Sequence, residues 1–175
     1  MKVKDLNELY LNELRDLYSA ETQIVNALPK IASAVETPEL KDAIYAHLEQ
    51  TKGQVFRLES IFQDMGVKPT GNKCEATEGL LKEGSNLLDE IDKGAVRDAA
   101  IISAAQRVEH YEIAAYGTAR TFAELLGFNE HAALLQETLD EEFGADAALT
   151  DLAVGRVNAR ALNGQATTGS FMGGN

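Results

Sequence analysis

The chain has 175 residues, 28 acidic and 16 basic, for a formal net charge of -12, and it is 45% hydrophobic and 25% charged. That balance suits one globular domain with a sizeable core and excludes a disordered polypeptide; it also argues against nucleic acid or an anionic membrane as a partner and makes metal ions a natural ligand. Cys74 is the only cysteine, so an intramolecular disulfide and any four-cysteine metal site are ruled out.

From Leu6 to about Val35, the apolar residues Leu6, Tyr10, Leu14, Leu17, Ile24, Leu28 and Ile31 recur at spacings of three and four, which predicts a first long helix with Pro29 as a kink. Glu21 lies on its apolar stripe. Thr37-Pro38-Glu39 reads as the start of a second long helix running to about Met65, with Leu40, Ile44, Leu58, Ile61 and Phe62 inward. Between Ile44 and Leu58 the inward positions are His47, Thr51 and Gln54, with Gln50 on the flank; Glu49 and Glu59 project to solvent. Gly66 stops this helix.

A short helix from about Glu75 to Ile91 then sits inside a long crossover, and Asp92-Lys93-Gly94 separates it from a third long helix over about Ala95 to Leu126. In that helix Glu109 and Glu112 are three residues apart and share a face with Ile101, Ala105 and Tyr116, which aims two carboxylates at the core. The fourth long helix runs from about Glu130 to Val154, with Leu134, Leu135, Leu149 and Leu152 inward and Thr138, Glu142, Ala145 and, towards one flank, Asp146 between them. After Gly155 the composition shifts to Gly, Thr, Asn and Ala. Residues 1–155 are therefore expected to form the bundle and 156–175 a flexible C-terminal tail.

The fold class expected is all-α: a four-helix bundle with one long crossover containing a short extra helix, the topology of ferritin-like folds. The two halves show traces of a repeat, in which Glu21 overlays Glu112 and Thr51 overlays Glu142. In such a bundle Glu21, Glu109, Glu112 and Glu142 converge at mid-height, with His47, Gln54 and Asp146 in register to join. Buried like charges need a neutraliser, whether protons, cationic side chains or a metal. Facing carboxylates and an imidazole suit two iron or manganese ions, hard cations that accept bridging oxygen ligands. The usual pair of Glu-x-x-His motifs is absent, and the second helix supplies no inward carboxylate.

The bland reading of the glutamates is pairing with Arg or Lys across the bundle, and that of His47 is a hydrogen-bonded core histidine. Tyr18 and Tyr116 read as core aromatics or as donors beside the site. His110 is expected to point away, His131 to serve packing at a helix start, and Cys74 to lie in a loop without a resolving partner.

The segments Leu17-Tyr18-Ser19-Ala20-Glu21, His47-Leu48-Glu49-Gln50-Thr51, Arg107-Val108-Glu109-His110-Tyr111-Glu112-Ile113-Ala114-Ala115-Tyr116-Gly117-Thr118 and Leu135-Gln136-Glu137-Thr138-Leu139-Asp140-Glu141-Glu142 resemble the YciF family of ferritin-superfamily proteins. The resemblance covers about Leu6 to Val154. It implies a bacterial, stress-associated, rubrerythrin-like bundle of uncertain biochemical activity, with a dimetal centre and a homodimer as its assembly. It also implies that relatives often carry glutamate where Gln50 stands here.

Three functions are compatible with these residues: a di-iron or dimanganese oxidase or peroxidase, a non-enzymatic metal-binding or stress-protective dimer with an incomplete site, and a structural module whose polar layer is held by protons. No run approaches the ~20 apolar residues of a membrane span, and the N-terminus lacks an apolar signal core, so a soluble, cytoplasmic protein with no membrane partner is expected.

Overall fold

The computed structural model describes residues 3–166. It contains α1 (Leu6–Ala34), α2 (Pro38–Asp64), α3 (Glu75–Glu90), α4 (Ala95–Leu125) and α5 (Asn129–Leu152), then a π-helical turn (Ala153–Val157) and α6 (Asn158–Ala166). No strand occurs among the described residues, and none of their helices is long and apolar enough to cross a membrane. The all-α class and the ferritin-like helical bundle are as the periodicity predicts: α1, α2, α4 and α5 are the four long helices, and residues 65–94 are the crossover carrying α3 against α4 and α1.

Local chemistry fixes the ends. Asp5 caps α1, its Oδ1 accepting the Glu8 backbone N–H at 2.9 Å. Pro29 lies inside α1 without ending it. Thr37 precedes Pro38 at the start of α2 but makes no side-chain cap bond. Buried Asp98 of α4 holds the connection just before α2 instead: its two oxygens accept the backbone N–H groups of Glu36 at 3.0 Å and Thr37 at 2.7 Å and so pin the α1–α2 corner to α4. Gly66 and Gly127 follow α2 and α4 with φ of 65° and 80°. In both turns the glycine N–H and the next N–H close back on the helix, Val67 to the Phe62 carbonyl and Phe128 to that of Ala123, a geometry that favours glycine.

The apolar core has two parts, one at each end of the bundle. One joins Tyr10, Leu14, Leu17, Leu58, Phe62, Tyr116 and Leu135; the other joins Ile24, Leu28, Leu40, Ile44, Ile101, Ile102 and Leu149. A layer of buried polar side chains from all four long helices separates them.

The C-terminal expectation needs correcting. Arg156, where the flexible tail should begin, lies in the π turn, and the chain continues as α6 alongside α4. Val157 is fully buried, Arg156 pairs with Glu39, and an Arg160 Nη donates to Thr37 Oγ1 at 3.4 Å. The π turn re-aims the chain past Gly155, so glycine and small-residue content gave the wrong signal. Residues 167–175, the rest of that tail, lie outside the described residues.

Candidate metal centre

The polar layer is built by helical register. Glu109 and Glu112 stand one turn apart on the inner face of α4, Glu21 reaches in from α1 and Glu142 from α5; all four are at most 3% exposed. α2 contributes His47, half-buried, and Gln54, buried. One ligand atom each from His47, Glu109, Glu112 and Glu142 lies within 4.8 Å of the others. His47 Nε2 is 3.5 Å from Glu109 Oε1. Glu21 adjoins this group, with the Tyr116 hydroxyl donating to its Oε1.

Gln54 is turned so that its amide nitrogen donates to Glu142 Oε1 and, at 3.1 Å, to Glu141 Oε2. It therefore holds Glu142 in place with its nitrogen. Thr51, opposite Glu142 in the repeat, is buried, but its hydroxyl donates to the His47 carbonyl at 2.8 Å. Asp146 is not brought into the group: it accepts from Gln106 Nε2 at 3.0 Å at the rim, with His110 Nε2 3.5 Å away. His110 is exposed, as expected. His131 stacks on Phe128 and Tyr10 and bonds Asp64 at 2.9 Å, far from the centre. Tyr18 packs edge-on against Phe62 and donates to exposed Glu59, so of the two tyrosines only Tyr116 reaches the carboxylates.

Burial and mutual repulsion raise the pKa of every one of these carboxyls. Glu109 is pushed up to about 10 by burial, then by a hydrogen bond to Glu142 that favours its protonated form, then by the charges of Glu142, Glu21 and Asp146. Glu112 rises through burial and the charges of Glu21, Glu142 and Glu109. Glu21 rises through burial and Glu142, against the hydrogen bond from Tyr116. Glu142 rises through burial, against the hydrogen bonds from Glu109 and Gln54. The same burial lowers His47 to about 4, which keeps its imidazole neutral near pH 7 and fit to bind a metal.

Cationic side chains do not supply the neutralisation. Among the described residues no Lys or Arg forms an ion pair with Glu21, Glu109, Glu112 or Glu142. The nearest guanidinium, Arg57, is committed to Glu137 and Glu141 at 2.6 Å each and to Thr138 at 3.2 Å. Burial works against the charged form of Glu141, yet Arg57 and Gln54 hold its carboxyl below the ordinary value. This Arg57–Glu137–Glu141 brace was missed in the sequence. No local pattern marked it, because Arg57 on α2 meets its partners on α5.

Several buried atoms of the centre have no hydrogen-bond partner: Glu21 Oε2, His47 Nδ1, Gln54 Oε1, Glu109 Oε2, both oxygens of Glu112 and Glu142 Oε2. Buried polar atoms are normally satisfied, and such a concentration at one point calls either for protons shared between neighbouring carboxyls, as in the Glu21–Glu112 and Glu109–Glu142 pairs, or for bound cations. The donor set, four carboxylates and an imidazole, fits two divalent cations of the iron or manganese type in charge and in hardness.

Four long helices enclosing a buried layer of carboxylates define a ferritin-like helical bundle with an acidic core cluster. The chain belongs to the family described as a domain of unknown function (DUF892), which matches residues 5–162. It is 46% identical over 164 residues to protein YciF of Escherichia coli K12, covering 93% of this chain and 99% of that protein. The crystal structure of the E. coli stress protein YciF superposes with a TM-score of 0.85 over 89% of this chain and 99% of that one. A Rhodopseudomonas palustris protein, YcfI, is 42% identical with a TM-score of 0.83, covering 85% of this chain and 95% of its own. The resemblance read from the helix motifs is thereby borne out.

Proposed function

We propose that this protein binds iron or manganese in the core layer, as a pair of ions held by Glu21, Glu109, Glu112, Glu142 and His47, and serves in a stress response as its E. coli relative is described to do. The observation that carries this reading is the convergence of four buried glutamates and a neutral imidazole at one point with no Lys or Arg among the described residues paired to them, because a pair of divalent cations would balance that charge and engage the oxygens and ring nitrogen that have no donor. When bound, such ions supply one-electron redox chemistry towards oxygen or peroxide.

The chain's own residues have separable tasks. Glu109, Glu112 and Glu142 would offer carboxylate oxygens as ligands. His47 offers a neutral nitrogen. Gln54 orients Glu142, and the Tyr116 hydroxyl orients Glu21. The α2 wall is the weaker one, with Thr51 bonded to its own helix and Gln50 in place of a carboxylate. A homodimer, also implied by the resemblance, belongs to this proposal and is tested by sedimentation.

Replacing Glu112 with Gln tests the centre. The expected outcome is metal content reduced by half or more, with helix content by circular dichroism unchanged. Unchanged metal stoichiometry in Glu112→Gln would remove that residue from the site. Peroxide consumption by the loaded wild-type protein separates a reactive centre from a storage or protective one.

A further inference from the structure

Beside the carboxylate layer, on the side of Ile24 and Leu149, the bundle holds a partly open cavity of about 690 Å³. Its walls come from all five of the helices α1 to α5, and it opens to solvent past the exposed residues of α2 and α5. Ile24, Leu28, Ile31, Ile101 and Val108 give it a floor of branched aliphatic chains. Leu80, Leu81 and Leu88 of the crossover helix α3 close its far side. Between α2 and α5 the lining shrinks to Ala43, Ala46, Gly144, Ala145 and Ala148, and the exposed positions Ala46, Gly144 and Ala148 form a mouth. Small residues at that seam keep the helices from filling the space with side chains.

One polar wall interrupts this lining. His47 and Glu109, members of the carboxylate layer, face the same cavity, and Gln50, Glu137, Asp140 and Glu141 stand beside them. Near the mouth Glu137 and Glu141 share a single guanidinium, Arg57, while Asp140 accepts from Gln136 Nε2 and has no cationic partner among the described residues. The local charge is therefore negative, which repels an anionic head group and admits a neutral one. The volume lies within the roughly 300–1,000 Å³ usual for small-molecule sites, which are likewise mostly apolar with a few placed polar groups.

We propose that this cavity is a binding site for a neutral, slender aliphatic molecule, such as a medium-chain alcohol or aldehyde, whose chain lies along Ile24, Leu28, Ile101 and α3 and whose polar end meets His47 and Glu109. The site is formed by this chain's own side chains and does not require metal to hold the aliphatic part.

The test uses the full chain after chelator treatment, with 1-aminoanthracene as a fluorescent reporter and 1-decanol, decanoate and ethanol as competitors. The expected result is a saturable blue-shifted emission displaced by 1-decanol, at least tenfold less well by decanoate at pH 7, and not by ethanol. Ala105→Phe, which fills the floor, should abolish reporter binding while helix content stays intact. Ala148→Trp, at an exposed position of the mouth, should weaken it at least tenfold and decides the matter if Ala105→Phe does not fold. Absence of reporter and decanol binding in the wild-type protein, or binding unchanged in a folded variant, would overturn the site. Decanoate binding as tightly as 1-decanol would overturn the neutral head group. Metal content, measured on the same preparations before chelation, fails or holds independently of these outcomes.

Discussion

At one end of the bundle Tyr10, Leu14, Leu17, Phe62 and Tyr116 interlock with no exposure above 1%, and aromatic contacts link Tyr18 to Phe62 and Tyr10 to Phe128. At the other end Ile24, Leu28, Ile44, Ile101 and Leu149 surround a cavity, and alanine and glycine line the α2–α5 seam. Both ends are apolar and both come from the same four helices. The difference teaches that the first end supplies stability while the second keeps space open, with the acidic layer between them drawing on the rigidity of one and the access given by the other.

The largest effect expected is the response of the layer to pH. In metal-free protein the glutamates have folded pKa values raised above the ordinary 4.5, Glu109 to about 10, so the folded state holds protons that the unfolded state has lost. Stability contributed by these groups is complete below about pH 4.5 and is lost as pH rises towards 10. His47 works in the opposite direction below its unfolded value, since a folded pKa of about 4 costs stability as pH falls from about 6.5 to 4. Metal-free protein should therefore melt at progressively lower temperature from pH 6 to 9, and bound metal should flatten that slope by replacing the protons. A slope that metal leaves unaltered would detach the layer from metal binding.

Next in size, Phe62→Ala in the interlocked end should cost about 3–5 kcal/mol in denaturant unfolding. Saturation of the centre with manganese at about 100 times its dissociation constant should add about 2.7 kcal/mol, read as a rise in melting temperature. Leu28→Ala, beside existing space, should cost about 2 kcal/mol, the low end for such truncations. Equal costs for Phe62→Ala and Leu28→Ala would erase the contrast between the ends. The smallest effect expected is that of Gln54→Leu, which removes the bond to Glu142 and should weaken metal affinity about tenfold, the low end for such changes, with little change in fold.

Much of this was legible in the sequence. Apolar spacing gave the four long helices, and the polar interruptions of their stripes gave Glu21, Glu109, Glu112, Glu142, His47 and Gln54, because a helix wheel reports inward direction directly. Asp146 was over-read: it lies only one step round the wheel from the inward face, and Gln106 holds it at the rim. Asp98 and the Arg57 brace were invisible for a different reason, since their partners come from other helices and no local pattern marks them. The continuation into α6 depends on one buried residue, Val157, and on a π turn that has no compositional signature. The cavity was beyond reach because alanine and glycine at a seam look the same in sequence whether the helices close on them or stand apart.

The central claim is that metal, and not protons or basic side chains, balances the buried glutamates. Elemental analysis of the wild-type protein purified without chelator tests it most directly. The account predicts iron or manganese at close to two ions per chain, removed by chelation. Metal far below one ion per chain, in protein that regains none on incubation with iron(II) or manganese(II), would contradict it.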